Sequence, residues 1–146
     1  MIRVYLDNCC FNRPFDDQSS IRVKLETDAK LYVQSMVRAT KLELAWSYIL
    51  DFENEANPFI ERKVAIEKWK NLAVNDISES SSILERAFDM VNFGLKPKDA
   101  LHIACAKEAG CHYFLTTDDI ILKRMTDKKG ILVLNPIDFI KLIEKL

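Results

Sequence analysis

The chain has 146 residues, 49% of them hydrophobic, with 21 basic and 22 acidic residues and a net charge of -1. That length and apolar content suit one folded domain over residues 1–146 and exclude a disordered chain. The balanced charge excludes a global basic field, so a polyanionic partner has to be met by a local basic rim or a bound metal.

No apolar run approaches the ~20 residues that span a bilayer. The opening Met1-Ile2-Arg3-Val4-Tyr5-Leu6-Asp7 is too short and too soon acidic for a signal peptide. The four cysteines fit a reducing setting with free thiols. A cytoplasmic protein with no membrane partner is expected.

Residues 2–6 read as a buried strand that ends abruptly on Asp7. Residues 8–20 read as a loop, punctuated by Asn12-Arg13-Pro14 and Asp16-Asp17. From Ser20 to about Lys41 the spacing predicts a helix, with Leu25, Ala29, Tyr32, Val33, Met36 and Val37 as its inner face. Leu42 to Trp46 is a second strand. Ser47 then caps a short helix on which Ile49, Phe52, Glu53 and Ala56 share one face. Glu53 should therefore point inward and Asp51 and Glu55 outward.

Asn57-Pro58 reads as a cap and first residue of a helix running to about Leu72. Its Phe59, Val64, Ile66 and Trp69 are expected in the core, and the helix is also a candidate homodimer surface. Val74 to Ile77 is a short edge strand, and Ser80 to Phe93 is a helix stopped by Gly94. Pro97 opens the next helix with Asp99 in its first turn, where the helix dipole favours an anion. Gly110 ends that helix. His112 to Leu115 is a strand, followed by Thr116-Thr117-Asp118-Asp119 and a short helix carrying Lys123 and Arg124. Ile131 to Leu134 is a strand, and Pro136 opens a last helix. Strands alternating with helices predict an α/β fold around a parallel sheet.

In such sheets ligands gather beyond the carboxyl ends of the strands. Asp7 and Asp118 each follow a strand directly, and Glu53 and Asp99 come from helices starting at the same edge. A carboxylate on an apolar face needs a partner. Four carboxylates together need a compensating cation, and hard oxygen ligands suit Mg²⁺ or Mn²⁺. Such a site can activate water against a phosphodiester. No Gly-rich or Lys-Ser/Thr phosphate loop points to nucleoside triphosphates.

The segments Leu6-Asp7-Asn8, Ser47 with Glu53 six residues on, Asp99-Ala100-Leu101-His102-Ile103-Ala104 and Leu115-Thr116-Thr117-Asp118 resemble, in order and spacing, the four motifs of PIN-domain ribonucleases, including VapC-type toxins. The resemblance covers nearly the whole chain. It implies a PIN-like three-layer α/β/α domain with a central, mostly parallel sheet. It also implies an Mg²⁺ or Mn²⁺ pocket held by Asp7, Glu53, Asp99 and Asp118, and endonucleolytic cleavage of RNA. Thr116 would support that pocket. As the toxin of a toxin–antitoxin pair, the chain would have an antitoxin protein as partner. Asn8 is followed by Cys9-Cys10, where the family often has a small hydroxyl or Asn pair.

Around the acidic segments, Asn8, Arg13, Lys96, Lys98, Thr116, Lys123 and Arg124 are candidates to contact substrate. Cys9, Cys10, Cys105 and Cys111 with His102 and His112 lack the CxxC spacing of a zinc site, and buried free thiols are expected. His102 reads as a packed or hydrogen-bonded residue. Two rival readings stand: a nuclease-dead PIN-like RNA-binding module, and a haloacid-dehalogenase-like phosphatase, which needs an Asp where Cys9 stands.

Overall fold

The structure is a computed structural model that describes residues 1–126 and 130–145. Its centre is strand β1 (Arg3–Leu6), whose Val4, Tyr5 and Leu6 are fully buried. Strands β2 (Glu43–Ser47), β3 (Asn75–Ile77), β4 (Tyr113–Leu115) and β5 (Leu132–Leu134) join it in the order β3-β2-β1-β4-β5. Every pair is parallel. Val4 lies opposite Leu44 on one side and Tyr113 on the other. All five strands therefore end at one edge, where Asp7 leaves β1. The strands lack clean alternation because helices cover both faces.

Eight helices stand among the described residues, giving a three-layer α/β/α fold: α1 (Asn8–Asn12), α2 (Ile21–Arg38), α3 (Tyr48–Glu55), α4 (Ile60–Glu67), α5 (Ser81–Val91), α6 (Pro97–Glu108), α7 (Asp119–Met125) and α8 (Pro136–Ile143). Helix α2 packs with α8, and α5 with α6. Ser20, Ser47 and Ser80 cap α2, α3 and α5, each accepting the N–H three residues on. Each such cap contributes about 1 kcal/mol. Pro97 and Pro136 open α6 and α8 as expected. Gly110 ends α6 at a φ of 73°, a left-handed turn that suits glycine. No described helix is long and apolar enough to cross a membrane.

Several expectations need correction. Residues 8–20 are not all loop: α1 is followed by a 3-10 turn, Arg13–Phe15. The helix expected at Pro58 begins at Ile60, because Asn57 Oδ1 accepts Phe59 N and spends a turn before the helix starts. It ends at Glu67 and passes into a 3-10 turn, Lys68–Leu72. Only Ile66 and Trp69 of its four expected core residues are buried; Phe59 and Val64 are exposed.

Helix α2 is rotated from its expected phase. Its buried face is Glu26, Thr27, Lys30, Val33, Gln34 and Val37, while Leu25 and Tyr32 are about half exposed. Glu26 decides the rotation. Its fully buried carboxylate accepts from Arg13 at 2.8 Å, Arg22 at 3.2 Å and Asn135 at 2.5 Å. Those charge-assisted bonds outweigh the burial lost by Leu25 and Tyr32.

Helix α3 also turns. Ile49, Leu50 and Asn54 are buried and Phe52 is exposed, with Lys98 Nζ 5.5 Å from its ring centroid. Asp51 is a partly buried tether instead of a free outward charge. It accepts from Trp46 Nε1 at 2.8 Å and Lys70 Nζ at 3.1 Å. Glu55 does point outward.

Candidate active site

Asp7 is the first residue beyond β1. Its backbone N–H donates to Leu115 O at 2.9 Å, which locks it to the end of β4. Its Oδ1 caps α1 by accepting Asn8 N at 2.8 Å, and its Oδ2 accepts Thr116 Oγ1 at 2.7 Å. Asp7 as a whole is only 5% exposed. Asp118 begins α7, where its Oδ1 accepts the N–H groups of Ile120 and Ile121. Its own N–H donates to Thr116 Oγ1 at 3.1 Å.

Glu53 lies in the second turn of α3, not at its start. Its Oε2 accepts Asn8 Nδ2 at 3.1 Å, and its Oε1 meets His102 Nε2. His102 sits on α6, one turn after Asp99, and is fully buried. Its Nδ1 lies 2.6 Å from the Tyr5 hydroxyl, which lies 2.6 Å from Ser47 Oγ. Burial pushes the Tyr5 hydroxyl well above its ordinary range, so it stays protonated. Burial also pushes Glu53 up, but the hydrogen bond and charge of His102, with Lys98 and Asn8, more than offset this and leave it below its ordinary value. An ionised Glu53 must accept, so His102 Nε2 is the donor in that contact. The chain Ser47–Tyr5–His102–Glu53 thus runs from the core to the pocket.

Asp99 is in the first turn of α6 and, alone of the four carboxylates, accepts no hydrogen bond from a described residue. Partial burial first, then the charges of Asp7 and Asp118, push it up to about 6, against a weaker downward pull from His102.

Asp7, Glu53, Asp99 and Asp118 line one open cavity of about 370 Å³. They reach it from β1, α3, α6 and the start of α7. Among the described residues, no three His, Cys, Asp or Glu side chains are drawn together closely enough to hold a metal ion as they stand. Asp7 and Asp118 are each held by capping hydrogen bonds to the helices they start. The donor set still fits a hard divalent cation, being entirely oxygen, and the displaced Asp99 marks an excess of negative charge that a cation would relieve.

The substrate-contact candidates divide. Asn8 lines the cavity and Thr116 braces it. Lys98 lies close enough to act on Glu53. Lys96 and Lys123 are exposed and outside the cavity lining, as is Arg124. Arg13 is engaged within the fold by Glu26 and Asp16, because the buried Glu26 needs its charge more than the rim does. Cys9, Asn12 and Asp16 also line the cavity, though the sequence did not single them out as site residues. Cys9 Sγ lies 3.4 Å from Asp7 Oδ2. The four cysteines are free, and Cys10, Cys105 and Cys111 are buried. The zinc reading gains no support.

The PIN domain family profile matches residues 4–128. The chain belongs to the PIN-domain family. A comparison with curated proteins returned no match. Among solved structures, this PIN domain is similar to VapBC-1 from nontypeable Haemophilus influenzae, at 14% identity and a TM-score of 0.59, over 92% of this chain and 98% of that one. It is similar to VapBC2 from Rickettsia felis, bound to a DNA fragment from its promoter, at 10% identity and a TM-score of 0.55, with the same coverages. A Pyrobaculum aerophilum protein aligns at 15% identity and a TM-score of 0.52, over 97% and 96%. At these identities the likeness shows the fold. Membership in the PIN family sets the phosphatase reading aside.

Proposed function

We propose that this PIN domain is a divalent-metal-dependent endoribonuclease that hydrolyses phosphodiester bonds in RNA. One observation carries the reading: four carboxylates from four separate elements line one cavity at the carboxyl edge of the sheet. Asp7, Glu53, Asp99 and Asp118 would hold Mg²⁺ or Mn²⁺. When bound, the metal supplies polarisation of water and screening of phosphate charge. The chain's own residues do the positioning. Thr116 fixes one oxygen of Asp7, while Asn8 and His102 fix the two oxygens of Glu53. Asp99 is left free to turn toward a cation. Lys98, Lys96 and Lys123 are the cations available to hold substrate phosphates in a chain with no overall positive charge.

The VapBC neighbours support a role as the toxin of a toxin–antitoxin pair, with an antitoxin protein as partner. Free cysteines support a cytoplasmic location. One rival stands beside this reading, a PIN-like module that binds RNA without cutting it. A cleavage assay on single-stranded RNA separates the two. The expected result is cutting in millimolar Mg²⁺ or Mn²⁺, none in EDTA, and loss of most activity in Asp99→Asn. Binding of RNA with no cleavage under any metal would establish the rival.

A further inference from the structure

A second cavity, of about 210 Å³, lies between α2, the Arg13–Phe15 turn and α4, and shares no lining residue with the acidic one. Its polar lining comes from a single face of α2: Lys30, Gln34 and Arg38, spaced four residues apart. Every one of these presents a donor. Lys30 is only 4% exposed, its Nζ 5.5 Å from the Phe11 ring centroid. Gln34 is 3% exposed, and its Nε2 is buried with no hydrogen-bond partner among the described residues. Arg38 lies over Trp69, its Cζ 4.5 Å from that ring centroid. Among the described residues no carboxylate is within ion-pair distance of Lys30 or Arg38. The opposing walls are apolar, including Phe11, Phe15, Ile66 and Trp69.

A buried ammonium and an unmatched amide donor are each costly unless something accepts from them. Here both line the same cavity, with an arginine beside them and aromatic rings opposite. We propose that this cavity is a binding site for a small carboxylate with an apolar or aromatic body. The carboxylate accepts from Lys30 Nζ, Gln34 Nε2 and Arg38, and the body packs on Phe11, Phe15 and Trp69. The volume suits one small molecule, being below the usual range for drug-sized ligands. Burial lowers Lys30 to about 8, and Arg38 adds to that, so an arriving anion meets a cation that lacks a counter-charge.

The test uses 3-phenylpropionate and its neutral amide on the full chain, followed by NMR shifts of the Trp69 indole N–H and the α2 amides. The carboxylate should bind with shifts centred on Lys30, Gln34 and Trp69. The amide should bind about ten-fold or more weakly, having lost a charge-assisted acceptor. Lys30→Met, which keeps the stem and removes the charge, should weaken the carboxylate to the level of the amide, and Lys30→Arg should restore part of the difference. Equal affinity for acid and amide, no binding at millimolar probe, or shifts confined to other surfaces would overturn the assignment. The comparison of acid with amide uses the unaltered protein, so it stands whether or not a variant folds.

Discussion

Thr116 donates its hydroxyl proton to Asp7 Oδ2 at 2.7 Å across 109 positions of sequence. Its own Oγ1 accepts the backbone N–H of Asp118 at 3.1 Å. One hydroxyl therefore sets the orientation of one carboxylate and the backbone position of another. Neither β1 nor β4 does this alone, because the bond forms only where the two parallel strands end together.

Thr116→Val keeps the shape and deletes that link. It should lower metal-dependent RNA cleavage about ten-fold and cost about 1–2 kcal/mol, since the buried Asp7 oxygen loses a donor. Thr116→Ser should stay near wild type in both. Cleavage rates and thermal melts check this, and equal rates for Val and Ser would remove Thr116 from the site.

Glu53 differs from its neighbours on α3. Glu53→Gln should abolish most cleavage, because it weakens the His102 contact and removes a ligand charge. Asp51→Asn should lower the melting temperature while leaving cleavage intact, because Asp51 ties Trp46 to Lys70. Glu55→Gln should change neither, apart from a weak surface pair with Lys63. Cleavage and melting of all three variants, measured side by side, decide it.

Asp99 titrates at about 6 in the folded protein against an ordinary 3.8, through burial first and then the charges of Asp7 and Asp118. The folded state thus holds a proton that the unfolded chain has released. Without metal, stability should fall as pH rises from about 4 to about 6 and then level off. Asp99→Asn removes that loss. In EDTA it should melt above wild type at pH 7, by about 1 kcal/mol after allowance for solvent screening, and not at pH 4. It should also gain less from Mg²⁺. A lower melt in EDTA at pH 7 would mean that Asp99 is a structural tie.

Lys30 carries the opposite sign. Burial lowers it from 10.5 to about 8, so the folded state releases a proton the unfolded chain keeps. The cost of the buried charge is full below pH 8 and fades as pH climbs toward 10.5. Lys30→Met should therefore be more stable than wild type at pH 7, by about 2–3 kcal/mol. The difference should narrow between pH 8 and 10.5. Urea unfolding of the pair across that range measures it, and a constant difference would place Lys30 in solvent.

Local signals served the fold well. Serines before apolar runs, prolines at helix starts and two glycines at helix ends marked boundaries within a few residues, because each acts through its own backbone. Asp7, Asp99 and Asp118 were legible for the same reason: each sits at a boundary those signals define. The face of α2 was not. Its phase follows Glu26, whose partners Arg13, Arg22 and Asn135 lie at separations from 4 to 109 residues. Periodicity counts apolar residues and does not register a buried charge that long-range partners satisfy. The Ser47–Tyr5–His102 chain was hidden likewise, since Tyr5 reads as one more apolar residue of a strand. Spacing alone predicts an inward Phe52, yet the short α3 turns its Leu50 and Asn54 to the core instead.

The middle strand of the sheet is among the earliest segments of the sequence, and one of its two neighbours arrives late. Val4 has to wait for Tyr113 to emerge before β1 is enclosed on both sides. During synthesis, a nascent chain exposes one open edge of β1 until β4 is translated, and Asp7 has neither Leu115 nor Thr116 to hold it. A product truncated before β4 lacks both of those anchors and Asp118. If the acidic cavity cuts RNA, the topology delays its assembly until β4, Thr116 and Asp118 have been translated.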